Sequence, residues 1–229
     1  GQGSQSLGML SDLRSNFSVV NEIFQEASDA INVDLWKIIN EDQELLSLTE
    51  NTQPVMLAAG YATYKVLAGE VNLTPISIAG HSLGEYTALV ASGSLSFFDA
   101  AQLVRKRAEL MQAAVPNGSG SMAAILGLDD ARVIEICLKA SDKGVVEAVN
   151  FNSPGQVVIA GEKKAVAHAC ELMKEAGAKR ALVLPVSVPS HCSLMKDAAK
   201  EFKSSVDNIN FQMGSEKVLH NVDADYSSN

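Results

Sequence analysis

The segment TPISIAGHSLGEYTALVASG, residues 74–93, limits the fold of this chain more than any other stretch. A short β-branched run between Pro75 and Gly80 has the length and composition of a buried parallel strand. Gly-His-Ser-Leu-Gly then permits one sharp corner, and the residues that follow carry a helical pattern ending at Gly93. A second helix is expected over 97–115, stopped by Pro116 and Asn117-Gly118. Strand, corner, helix and helix are the parts of an α/β sheet. Upstream, 17–31 and 50–69 read as helices, the second almost wholly apolar and therefore buried, with helical fragments and polar loop over 33–49.

From residue 121 the rhythm changes. SMAAILGL reads as a strand, DDARVIEICLKAS as a helix, VVEAVNF as a strand, NSPG as a turn, QVVIAG as a strand, KKAVAHACELMKEAG as a helix and KRALVLPVS as a strand. The order β-α-β-β-α-β is that of a ferredoxin-like split unit. The expected architecture is α/β: a large α/β-hydrolase-like lobe, with a parallel sheet and a nucleophile elbow, from 1–119 and 189–229, and a ferredoxin-like small lobe from 120–188.

With 229 residues, 47% of them hydrophobic and 20% charged, the chain is long and apolar enough to bury a core. The formal charge of −9 and the lack of a basic stripe interleaved with aromatics argue against a nucleic-acid partner. Apolar runs broken by Gly, Ser or Pro give no membrane span and no secretory signal, so a cytoplasmic protein is expected. Cys137, Cys170 and Cys192 are odd in number and lack metal-ligand spacing, which argues against disulfides and a zinc site. The histidines form no paired motif, and no metal is indicated.

In the corner, G-x-S-x-G between strand and helix fits a nucleophile elbow that lifts Ser82 Oγ clear of the backbone at the positive end of a helix. The competing reading is a serine cap between packing glycines. His191, in the loop PVSVPSHCS after the last small-lobe strand, fits a general base. His168 falls in a helix patterned as surface, His220 lies near the chain end, and His81 adjoins Ser82 but points elsewhere. Cys192 reads as a small buried hydrophobe.

A helical wheel over 97–115 puts Arg107 on the stripe of Leu103, Val104, Leu110, Met111 and Ala114, with Arg105, Lys106 and Glu109 on the other side. A buried guanidinium stays charged and requires an anion. Either a buried Asp or Glu supplies it, or a carboxylate on a substrate does.

GQGSQSLGM, GHSLGEYTALVASG, VRKRAELMQ, VNFNSPGQVVIAG, AGAKRALVLPVSVPSHCSLM and NVDA, in this order, resemble the malonyl-CoA:acyl carrier protein transacylase family of bacterial fatty acid synthesis. The resemblance implies transfer of a malonyl group from malonyl-CoA to the phosphopantetheine thiol of acyl carrier protein, by ping-pong kinetics through a malonyl-serine. It assigns Ser82 as nucleophile, His191 as base and acid, Arg107 as the grip on the malonyl carboxylate, and the backbone N–H groups of Gln2 and Leu83 as oxyanion hole. It implies no metal and no cofactor, since coenzyme A thioester and phosphopantetheine are substrates. A monomer without nucleic-acid or membrane partners is expected.

Against the family pattern, the strand before GQGSQ and the C-terminal part are absent, and the group that orients His191 is unassigned. A serine esterase or thioesterase of α/β-hydrolase type and a non-catalytic carrier-binding domain remain as alternatives. Lys163, Lys164, Lys174, Lys179 and Arg180 are candidates for docking an acidic carrier protein, although lysine-rich helix faces are commonly solvated surface.

Overall fold

The computed structural model describes residues 3–186 and 188–226. Along the described chain run α1 (Ser11–Asn16), α2 (Ser18–Ile31), α3 (Leu35–Glu41), α4 (Gln43–Ser47), α5 (Thr49–Glu70), β1 (Ser77–Ala79), α6 (Gly84–Ala91), α7 (Phe97–Ala113) and β2 (Gly120–Leu126). They are followed by α8 (Asp130–Ala140), β3 (Val146–Ser153), β4 (Gln156–Glu162), α9 (Lys163–Glu175), β5 (Arg180–Val183), α10 (Lys196–Val206) and β6 (Lys217–Leu219). The chain divides into two compact units, Gly1–Glu109 with Ser204–Asn229, and Leu110–Lys203.

In the first unit, α2 buries Val20, Ile23, Phe24, Ala27 and Ala30, spaced by three or four residues along one face. The chain leaves the helix through Asn32, whose φ of 53° suits an asparagine. Asp34 and Asp42 cap α3 and α4 by accepting from the N–H groups of Lys37 and Leu45 at 2.9 and 2.8 Å. Helix α5 is buried along much of its length, as its composition predicts. Pro54 within it has no N–H to give to the Glu50 carbonyl, and Arg105 Nη1 donates to that oxygen instead, at 3.2 Å. Arg105, expected on the solvent side of α7, is thereby drawn back against α5.

β1 and β6 pair in parallel, with Ile78 opposite Val218. The parallel strand is where the sequence places it, but it is not buried. Ser77 and Ala79 are exposed and Ile76 is 94% exposed, because a ladder of two strands leaves most of its faces open.

The second unit holds a four-stranded antiparallel sheet in the order β3-β4-β2-β5, the order of the split β-α-β-β-α-β unit. β3 and β4 are joined through Pro154-Gly155, with Gly155 at φ 74°. Asp129 caps α8 at Arg132 N–H, 2.8 Å away. Helices α8 and α9 close one face of the sheet over Ile125, Ile136, Val157, Ile159 and Met173. On β3 this core takes Val146 and Ala148, so alternation turns Glu147 to the opposite face. That face is covered by the segment after β5: Cys192, Leu184, Val186 and Leu194 pack on Met122, Val158 and Ala160. The second compact unit, Leu110–Lys203, contains the His191 loop.

Candidate active site

The corner after β1 is built by exclusion. A Cβ on Gly80 would overlap the Gly84 carbonyl and crowd the Glu85 amide, so only glycine lets the strand end meet the start of α6 this closely. Ser82 then takes φ 53°, a left-handed conformation that a non-glycine residue holds only when its surroundings impose it. Three amides around it are occupied: Gly84 N–H donates to His81 O at 2.9 Å, Glu85 N–H to Ser82 O at 3.1 Å, and Ser82 N–H to Asn221 Oδ1 at 2.8 Å. Leu83, buried, is the N-cap residue of α6, so its own N–H lies at the positive end of that helix.

Asn221, just beyond β6, is itself held by the elbow helix. Its N–H donates to Glu85 Oε2 at 3.1 Å, while Glu85 Oε1 lies 2.8 Å from His220 Nδ1. One carboxylate in the first turn of α6 thus grips two successive residues of the distant segment and aims the asparagine amide at the serine.

Arg107 comes off α7 on the stripe predicted for it, where Leu103, Val104, Leu110 and Met111 are buried. Its partners among the described residues are neutral: Nη1 donates to Gln53 Oε1 at 2.8 Å, and Nη2 donates to Ser82 Oγ at 3.1 Å. The guanidinium carbon also stands 5.9 Å from the centre of the Tyr86 ring. No carboxylate is paired with it among the described residues. Burial pushes the Arg107 pKa below its ordinary value and raises that of Tyr86. A hydroxyl on a strained corner, with an arginine fork beside it and a helix N-terminus behind it, is suited to hold an acyl group that carries its own negative charge.

His191 belongs to the second unit. It is exposed and has φ 70°. The neighbouring Cys192 is buried, donates through Sγ to Pro189 O at 3.1 Å, and has its thiol pKa raised by burial, which fits the packing role read from the sequence. His168 lies on α9, 3.9 Å from Glu171. Of the expected site residues, Ser82, Leu83 and Arg107 lie together in the first unit, His191 lies in the second, and Gln2 lies outside the described residues. Sequence reasoning missed Gln53, Tyr86, Glu85 and Asn221. The signal for Gln53 was a polar run, Asn51 to Gln53, inside a helix otherwise read as buried. Among the described residues no cluster of His, Cys, Asp or Glu could hold a metal ion, and no helix is long and apolar enough to cross a membrane.

The acyl transferase domain family matches residues 1–221. The malonyl CoA-acyl carrier protein transacylase of Haemophilus influenzae is 53% identical over 225 residues, which cover 97% of this chain and 72% of that protein. The enzyme of the same name from Bacillus subtilis is 45% identical over 227 residues, 98% of this chain and 71% of that protein. Among solved structures, FabD from Acinetobacter baumannii superposes with a TM-score of 0.96 at 50% identity, covering all of this chain and 73% of that one. A malonyl-transacylase solved in complex with its type II PKS acyl-carrier protein also gives 0.96, at 48% identity over all of this chain and 74% of that one. The mixed α/β fold, the length of the match and its level of identity agree: the chain belongs to the malonyl CoA-acyl carrier protein transacylase family of acyl transferases.

Proposed function

We propose that this protein transfers a malonyl group from malonyl-CoA to the phosphopantetheine thiol of an acyl carrier protein, in the cytoplasm and in the service of fatty acid synthesis. The observation that carries this reading is Arg107, a partly buried cation with neutral partners, 3.1 Å from the hydroxyl that would carry the acyl group. A malonyl unit on Ser82 ends in the carboxylate that this fork lacks.

In the proposed reaction His191 takes the Ser82 proton as Oγ attacks the thioester carbon. The carbonyl oxygen gains the negative charge of the tetrahedral intermediate and rests on the N–H groups of Leu83 and Gln2. For Leu83 the support is local: the amides of Ser82, Gly84 and Glu85 are already bonded to Asn221, His81 and Ser82 oxygens. Collapse of the intermediate breaks the carbon–sulfur bond, and coenzyme A leaves with the proton held by His191. The carrier thiol then gives its proton to His191 and attacks the malonyl ester; as the ester C–O bond breaks, His191 returns that proton to Ser82 Oγ. The first unit fits an α/β-hydrolase-like lobe on this account, with the elbow between β1 and α6. Lys163, Lys164, Lys174, Lys179 and Arg180, all exposed on the second unit, offer an acidic carrier a basic surface.

Intact-protein mass spectrometry after brief mixing with malonyl-CoA tests the reading. A malonyl adduct on the wild type, absent from Ser82→Ala and discharged by acyl carrier protein, is expected. Release of free malonate without a stable adduct would mean a hydrolase, and no reaction at all would mean a carrier-binding domain without chemistry.

A further inference from the structure

Glu147 is a half-buried carboxylate on β3, turned to the sheet face that Leu184, Val186, Cys192 and Leu194 cover. A partly buried carboxylate needs a compensating partner. Its hydrogen-bond partner among the described residues is the N–H of Ser193, which it accepts at 2.8 Å. Ser193 opens a single 3₁₀ turn, Ser193–Met195, that runs directly into α10, so this N–H is one of the orphan donors of a helix start. Cys192 holds the extended conformation of an N-cap residue, but it supplies no side-chain cap. The cap comes instead from a strand 46 residues earlier in the chain.

Two residues before that N–H stands His191, held at φ 70°. A β-carbon-bearing residue stays in this conformation only when the chain on both sides is fixed. On the upstream side, Ser190 N–H donates to Val188 O at 2.9 Å, and Val188 is buried. On the downstream side, Cys192 is sunk into the sheet face and Ser193 is tied to Glu147. We infer that Glu147 is a positioning residue for His191: by capping Ser193 it fixes the downstream arm of the histidine corner and with it the direction of the imidazole. The inference rests on the reading of His191 as the general base.

The test is the rate of Ser82 malonylation at saturating malonyl-CoA, read by intact mass in single-turnover mixing. Glu147→Ala is expected to slow it about ten- to a hundredfold, as misplacement of a catalytic group does, with KM for malonyl-CoA little changed. Glu147→Gln keeps an oxygen able to accept from Ser193 and is expected to recover most of that rate. Ser193→Pro removes the donor and leaves Glu147 in place; proline suits the first helical position after an extended residue, so this variant should fold and be as slow as Glu147→Ala. Glu147→Ala combined with His191→Ala should be no slower than His191→Ala alone. Wild-type rates in Glu147→Ala or Ser193→Pro, a folded Glu147→Gln as slow as the alanine variant, or additive losses in the double variant would each overturn the inference. If His191→Ala itself reacts at the wild-type rate, it is the base assignment that falls. Amide exchange at Ser193 would then report separately whether Glu147 holds the loop.

Discussion

Arg107→Ala should change which acyl group the protein accepts more than whether it accepts one. The guanidinium makes two hydrogen bonds, to Gln53 Oε1 at 2.8 Å and to Ser82 Oγ at 3.1 Å. Loss of the second removes a donor from the nucleophile whatever the substrate, at about 1 kcal/mol, so donors of every kind should slow roughly fivefold. Malonyl-CoA loses something further. Its carboxylate would enter the same partly buried position without a cation, and breaking a buried ion pair costs about 3 kcal/mol at the lower end of the range, close to 150-fold. Acetyl-CoA has no carboxylate and escapes that second loss. The ratio of kcat/KM for malonyl over acetyl transfer, followed by thiol release from each coenzyme A ester, should therefore fall about a hundredfold or more. Arg107→Lys keeps the charge without the fork and should fall between. Arg107→Met, which fills the space without a charge, should melt no lower than the wild type, since it removes a cation that burial disfavours. Equal losses on malonyl and acetyl donors would refute the carboxylate grip.

Three further outcomes follow from other parts of the molecule. Gly80→Ala places a methyl group against the backbone of Gly84 and Glu85, which cannot rotate away, and should lower unfolding free energy by about 3 kcal/mol in a urea titration. Charge reversal at Lys174 and Arg180 together should raise the KM for acyl carrier protein about fivefold at low salt and leave loading from malonyl-CoA unchanged; an unaltered KM would remove these residues from the docking surface. Burial raises the thiol pKa of Cys137, to about 12, and also those of Cys170 and Cys192. The unfolded thiols release protons near pH 8.5 while the folded ones do not, so this contribution is complete below that pH and is lost as pH rises toward 12. The urea midpoint should drop between pH 8 and pH 10, with a shallower drop in Cys137→Ala.

What the sequence disclosed depended on how local the cause was. The elbow was legible because its cause is local: Gly80 must lack a Cβ to clear the backbone of Gly84 and Glu85, and Ser82 turns the chain at φ 53° between them. Arg107 was legible because a wheel over one helix reveals a charge on an apolar stripe. The split unit was legible from alternation alone, and its strand order followed. Gln53 and Asn221 were not, because their partners lie 54 and 139 residues away: the polar run that holds Gln53 does not name what it binds, and Asn221 stands in no pattern that demands a ligand. Glu147 was hidden in the same manner, as one charge in a strand whose face is known only once the segment after β5 has folded onto it. The burial of β1 was misread because its composition fits a covered strand, whereas exposure depends on what else stacks against it.

Strain ties these remote residues to the chemistry. Among the described residues five non-glycine positions have positive φ, and two of them are Ser82 and His191. A residue held there costs about 1–3 kcal/mol that other contacts must offset. For Ser82 one such contact is its own N–H on Asn221 Oδ1, with Glu85 fixing the asparagine in turn. Removing it by Asn221→Ala loses a hydrogen bond of about 1 kcal/mol but lets the corner relax and recover a similar amount, so stability should move by less than about 1 kcal/mol. Catalysis has no such recovery. A relaxed Ser82 turns its hydroxyl away from Arg107 Nη2, and the rate of malonyl-serine formation should fall about tenfold or more while the melting temperature barely shifts. A variant that loses stability in proportion to its rate would show that Asn221 merely packs the segment after β6. A variant that keeps both would show that Gly80 and the turn bonds of α6 hold the serine corner unaided.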